Sequence, residues 1–168
     1  HPWTKQTKYT ALDKGQLIDI NGFAAALNIP SDIADRELEV LHNKLELNNR
    51  KALNFKGISQ GNTAFVVLNY EHHQQVFSAL GEMKKSAEKV AHDLAKEVKA
   101  YLATDVIADE YLADQILLPM ALGKGGEFTA QIISEHTRTQ ANMIQKFIDC
   151  EITFTELKEN NWQIKVSV

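Results

Sequence analysis

The chain is poor in cysteine, proline and arginine, and it has no long apolar run. Cys150 is the only cysteine among 168 residues, which excludes an internal disulfide framework and any zinc site built from several thiolates. A reducing, intracellular setting is the simplest expectation from that usage. Arginine is confined to Arg36, Arg50 and Arg138, so few side chains can grip phosphate with a planar two-pronged fork. The formal charge of −4 supplies no general attraction to nucleic acid. No stretch approaches the roughly 20 apolar residues a membrane-crossing helix needs. Nor does an apolar segment follow His1, Lys5 and Lys8, as a signal peptide would require. A start at His1 instead of Met is read as the mark of a processed or truncated product. What is present, 44% hydrophobic and 24% charged residues, is the composition of a soluble globular protein.

Hydrophobic periodicity divides the chain into alternating strands and helices. Residues 1–12 alternate weakly through Trp3, Tyr9 and Leu12, compatible with one strand. Leu17–Leu27 reads as a strand ending near Asn28-Ile29-Pro30. Ser31 offers a helix cap, and Ala34, Leu38, Leu41 and Leu45 fall at helical spacing, which predicts a helix over 32–46. Strands are expected over 52–58 and 63–70, on either side of the turn-like Ser59-Gln60-Gly61-Asn62, with a further short run at 76–80. The clearest helix runs from Ser86 to about Thr104, with Ala87, Val90, Leu94, Val98 and Leu102 on one face. Another begins near Asp109 and is expected to kink or restart at Pro119. A strand over 127–133, a helix over 137–148 and a hairpin of 151–157 with 162–168 complete an α/β arrangement in α+β layers. A boundary is expected near residues 104–108.

Candidate chemistry is sparse. Of six histidines, His72 and His73 are adjacent in a polar stretch, His42 and His92 share helices with charged residues, and His1 is terminal. His136 differs, because it lies between a predicted strand and a predicted helix, where α/β layers present reactive groups. On local pattern alone a histidine there is more often structural. Gly123-Lys124-Gly125-Gly126 lacks P-loop spacing and follows a helix, so a turn is the better reading. Glu110 and Asp114 share a helical face at i, i+4. A metal site and a solvated first turn favoured by the helix dipole explain them equally well. Arg138 could reach a phosphate or lie at the surface, Thr137 and Thr139 are candidate caps, and Cys150 suits a buried small residue.

Longer tracts narrow the field. Glu110 through Leu122, the glycine loop, Glu127-Phe128-Thr129 and Ser134-Glu135-His136-Thr137 together resemble the C-terminal signature of RNA 3'-terminal phosphate cyclases. Gly61-Asn62-Thr63 and Gly81 through Glu88 resemble that family's small inserted domain. The resemblance implies three segments: a catalytic-domain strand in 1–12, a thioredoxin-like insert in 13–104 without redox cysteines, and the last βαββ-type repeat in 105–168. It implies an ATP-dependent ligase that converts an RNA 3'-phosphate to a 2',3'-cyclic phosphate in the cytoplasm. His136 would be the nucleophile that takes AMP, and Tyr111, Leu112, Ala113, Asp114 and Gln115 would bind the nucleotide, with Tyr111 stacked on adenine. The implied cofactors are ATP and a divalent cation, Mg or Mn, with no metal ligands assigned. Implied partners are RNA 3'-phosphate ends and a missing N-terminal half, without which the chain alone is expected to be silent. A cyclase-like scaffold in ribosome assembly is the alternative, disfavoured because such relatives lack the histidine. Lys84, Lys85 and Lys89 in the insert either touch RNA or form a solvated face.

Overall fold

The computed structural model describes residues 7–168; Trp3 and the rest of 1–6 in the expected first strand lie outside the described residues. The chain divides into two compact units, one of Gly15–Ala103 and one of the residues through Lys14 together with Thr104–Val168. It holds β1 (Tyr9–Ala11), β2 (Leu17–Leu27), α1 (Asp32–Leu45), β3 (Asn49–Phe55), β4 (Gly61–Tyr70), β5 (Gln74–Leu80) and α2 (Ala87–Leu102). There follow α3 (Glu110–Leu122), β6 (Gly126–Ala130), α4 (Glu135–Phe147), β7 (Glu151–Lys158) and β8 (Asn161–Ser167). Among the described residues, two four-stranded mixed sheets with two helices each make the α+β class plain. No helix among the described residues is long and apolar enough to cross a membrane.

In the Gly15–Ala103 unit the sheet order is β3-β2-β4-β5. β2 runs parallel to β3 and antiparallel to β4. The strands on either side of residues 59–62 therefore do not pair with each other. Alternation explains why: Ile20, Ala24 and Ala26 of β2 and Ala64, Val66 and Leu68 of β4 are buried, so these two strands take the sheet's centre. α1 and α2 lie side by side against it, burying the expected Ala34, Leu38, Leu41, Leu45, Val90, Leu94 and Val98. Tyr101 was not expected there; it is fully buried, its ring edge-on to Phe77 at 5.4 Å. Ser31 does not cap α1 with its side chain, because its backbone is already helical (φ −66°, ψ −26°). At α2 the cap is Ser86, whose oxygen accepts from the Lys89 N–H.

In the second unit the sheet order is β1-β6-β8-β7. β1 is parallel to β6, while β6–β8 and β8–β7 are antiparallel. Phe128, Ile152, Ile164 and Val166 face α3 and α4 and bury with Leu117 and Ile144 in one core. The opposite face is polar, with Gln163 donating to Glu127 at 2.8 Å. Gly126 sits at φ +141°, and any side chain there would collide with the Tyr9 carbonyl, so only glycine lets β1 pair at this point. β6 ends at Ala130, short of the expected Ile133. Beyond it the Gln131 N–H turns to the Ala108 carbonyl (3.0 Å). α3 does not restart at Pro119 but continues as one helix to Leu122.

Glu37 is the exception to the apolar logic. It lies on the buried side of α1 with no exposed surface. One carboxylate oxygen accepts from the Asn62 side chain, and the other has no partner. Burial pushes its pKa from 4.5 up to about 7, against the lowering influence of the Asn62 hydrogen bond and of Arg36. A folded-state pKa above the unfolded one stabilises the protonated native form. The contribution is fully present below about pH 4.5 and is lost as pH rises through about 7. The loss is expected to reach about 3 kcal/mol. Glu37→Gln, which cannot ionise, should lack that decline; denaturant titrations of both proteins between pH 4.5 and 7.5 check it.

Candidate active site

The first turns of α3 and α4 are fixed to the carboxyl end of β6. The Ala108 N–H donates to the Thr129 carbonyl (2.9 Å), and Ala108 bridges Ala130 in parallel register. The Ile107 N–H donates to Thr129 Oγ1 (3.1 Å). The chain entering α3 is thus tied to the strand that leads into α4. Lys14 and Thr104, at the two ends of the Gly15–Ala103 excursion, are joined by a 2.6 Å hydrogen bond from Nζ to the Thr104 carbonyl.

Each helix starts with a side-chain cap. Asp109 Oδ1 accepts from the Leu112 N–H (2.7 Å). Ser134 Oγ accepts from the Thr137 N–H (3.2 Å) and lies 3.0 Å from Thr137 Oγ1. The expected capping by Thr137 and Thr139 is therefore replaced by Ser134, the residue in the extended conformation a cap requires. Thr137 is its buried partner, and Thr139 is exposed. α4 accordingly begins at Glu135, so His136 lies inside the first turn and not before it. The backbone N–H groups of the first helical residues have no intrahelical acceptors. Together with the helix dipole they make both starts favourable places for an anion.

The residues from Tyr111 to Gln115, expected to bind a nucleotide, occupy distinct environments along α3. Tyr111 is 66% exposed, an unusual state for a ring of that size. Leu112 is half-buried against the core, and Ala113 is fully buried, letting the helix approach the sheet. Asp114 is half-buried and Gln115 exposed. Gln140 of α4 donates from Nε2 to the Asp114 carbonyl (3.2 Å). Gln140 is four residues from His136 and so shares its side of α4. This contact places His136 on the flank of α4 that faces α3. Gln140 was missed in the sequence, although its i+4 spacing from His136 was there to be used.

The imidazole of His136 is exposed. Among the described residues, neither it nor the Asp114 carboxylate makes a hydrogen bond or ion pair. No group of three or more histidine, cysteine, aspartate or glutamate residues is placed to hold a metal among the described residues. Asp109 serves as a cap, while Glu110 stays exposed. Cys150 is half-buried, and burial raises its thiol pKa, which disfavours the nucleophilic thiolate. The arrangement offers an accessible imidazole beside two anion-favouring helix starts.

Comparison with known proteins gives this arrangement a family. The chain is 36% identical over 169 residues to an RNA 3'-terminal phosphate cyclase of Koribacter versatilis (strain Ellin345). That alignment covers 99% of this chain and 47% of the relative, so the chain spans about half the relative's length. The model of the family described as RNA 3'-terminal phosphate cyclase matches residues 11–154. Because that single match runs through the Gly15–Ala103 unit and on past both capped helix starts, the chain belongs to the RNA 3'-terminal phosphate cyclase family.

Proposed function

We propose that this chain is the nucleophile-bearing portion of an enzyme that uses ATP to convert an RNA 3'-phosphate to a 2',3'-cyclic phosphate. The observation that carries the reading is an accessible His136 within the first turn of α4, in a chain of the cyclase family. In the first step a neutral imidazole nitrogen attacks the α-phosphorus of ATP. A nitrogen–phosphorus bond forms, the bond to the bridging oxygen breaks, and pyrophosphate leaves. An oxygen of the RNA 3'-phosphate then attacks the AMP phosphorus, the nitrogen–phosphorus bond breaks, and AMP passes to the RNA end as the imidazole leaves. Finally the 2'-hydroxyl attacks the same 3'-phosphorus, loses its proton and expels AMP. That hydroxyl is already adjacent, so ring closure has the entropic advantage of an intramolecular reaction. It also makes cyclisation specific to RNA.

Tyr111 is the proposed adenine platform, with Leu112 and Ala113 anchoring its turn to the core, and Asp114 and Gln115 turned toward the nucleotide. A divalent cation, Mg or Mn, would offset charge on the triphosphate. Asp114 is one carboxylate available to it directly or through water. We read Gly15–Ala103 as the family's inserted domain. Its βαβ unit followed by ββα, in the order β3-β2-β4-β5, supports the thioredoxin-like reading. The other unit is read as the last catalytic repeat. The partner in the reaction is an RNA 3'-phosphate end, and the cytoplasm is the setting that a single cysteine suits.

The reading includes a covering N-terminal half. α3 is apolar around most of its circumference, and Leu118, Leu122 and Phe147 are exposed large side chains. Such a surface is ordinarily buried by a partner. The 168-residue chain alone is therefore expected to bind ATP poorly, which isothermal titration measures.

Full-length protein incubated with α-labelled ATP and the divalent cation should acquire acid-labile label, and His136→Ala should acquire none. Label that survives His136→Ala would overturn the assignment, and binding to ribosomal precursors without label would favour the scaffold alternative. Tyr111→Ala should raise the KM for ATP about tenfold, the effect of losing one aromatic–base stack. Tyr111→Phe should restore it. Initial rates of label incorporation distinguish the two variants.

A further inference from the structure

Arg138 sits on the flank of α4 opposite His136. Successive residues of a helix are about 100° apart, so Arg138 lies about 200° round from His136. Thr137, Ala141 and Ile144, buried against the sheet, lie between the two directions. Its guanidinium carbon is 5.7 Å from the centre of the Phe154 ring and 5.8 Å from that of Trp162. These rings belong to β7 and β8, and Trp162 is paired with Ala130 at the end of β6 from which α4 departs. Two aromatic faces therefore hold the arginine beside the first turn of α4.

These ring contacts leave the hydrogen-bond donors of the side chain unoccupied. Among the described residues no carboxylate pairs with Arg138 and no acceptor takes its N–H groups. Arg36, by contrast, is committed to Glu88 at 2.6 Å and Asp32 at 3.3 Å. A planar guanidinium held by ring contacts, with no acceptor on its N–H groups, can offer two parallel bonds to one phosphate. Because the rings already order it, less freedom is lost when the phosphate arrives.

We infer that Arg138, braced on Phe154 and Trp162, is a phosphate fork for the RNA strand close to its 3' end. The proposal rests on the cyclase reading and adds the side from which RNA approaches. The nucleotide tract is on α3, and Gln140 marks the flank of α4 that faces it. A phosphate on the Arg138 flank belongs to the other substrate. ATP and RNA then reach His136 from opposite sides of one helix start. Phe154 and Trp162, each half-buried, serve here as positioning residues that act through Arg138.

The test uses full-length protein and a fluorescein-labelled oligoribonucleotide ending in a 3'-phosphate, titrated by anisotropy at several salt concentrations. Arg138→Met should raise the Kd about tenfold, and the slope of log Kd against log salt should fall by about 0.7 for one lost contact to single-stranded RNA. Arg138→Lys should keep the slope and lose part of the affinity, because the charge stays and the fork does not. An unchanged Kd and slope would overturn the proposal, as would a lowered melting temperature with the slope intact, the mark of a purely structural brace. An equal rise in the KM for ATP during protein–AMP formation would assign the fork to ATP and also overturn it. If His136→Ala abolishes labelling while Arg138→Met binds RNA normally, the cyclase reading stands without this fork. Wild-type protein that neither takes label nor binds the oligoribonucleotide would sink both.

Discussion

Ala108 reaches across Ala130 with two hydrogen bonds, its N–H to the Thr129 carbonyl and its carbonyl to the Gln131 N–H, and the candidate site depends on them. They fix where β6 stops, and hence where Ser134 can begin α4. They also fix where the chain must turn to let Asp109 begin α3. Residues 9–11 pair with the same edge of β6 at 126–128. The edge is thus completed by two pieces of chain separated by 97 positions in the sequence numbering, Ala11 at one side and Ala108 at the other. The 2.6 Å bond between Lys14 and Thr104 lies where these pieces leave and return. Burial lowers the Lys14 pKa, partly opposed by Asp105, so this ammonium is held where its desolvation must be offset by its acceptors.

The helices were legible in the sequence because period and burial agree. Ala34, Leu38, Leu41 and Leu45 in α1, and Val90, Leu94 and Val98 in α2, were readable from spacing and are buried. The hairpin of β7 and β8 was equally plain, since Ile152, Ile164 and Val166 alternate into one core. What failed to show was pairing between segments distant in sequence. Nothing local in Thr63–Tyr70 says that it pairs with β2 and leaves β3 aside. That choice belongs to Ile20, Ala24 and Ala26, which need cover on both sides. The end of β6 was misread for the same reason. Ile132 and Ile133 continue the apolar pattern, but Gln131 has turned its N–H to a residue 23 positions earlier.

The geometry of the candidate site was legible in part, and the division follows the same line. His136 and the tract from Tyr111 to Gln115 stand out only as members of a longer likeness, since each alone fits an ordinary surface residue. Their geometry was hidden. The caps could be read one helix at a time, as the Asp109 and Ser134 side chains each serve a backbone three residues on. The Gln140 bond to the Asp114 carbonyl and the two rings beneath Arg138 join separate elements, which no periodicity encodes. Glu37 escaped for a different reason. A glutamate next to Arg36 in a helix looks solvated, yet Arg36 turns outward to Glu88 while Glu37 turns in toward Asn62.

The proposed chemistry also sets a charge requirement that these residues do not meet alone. A triphosphate and an RNA end bring several negative charges together at one helix start, in a chain whose own formal charge is −4. Two helix dipoles contribute partial charges, equivalent to about half a unit each. Arg138 adds one full charge, on the flank away from α3. Glu110 and Glu135 in the two first turns work against the anions they adjoin. On that reading these elements alone supply less positive charge than the triphosphate and the RNA end bring. The proposed reaction therefore calls for further positive charge, for which the proposed divalent cation is one source.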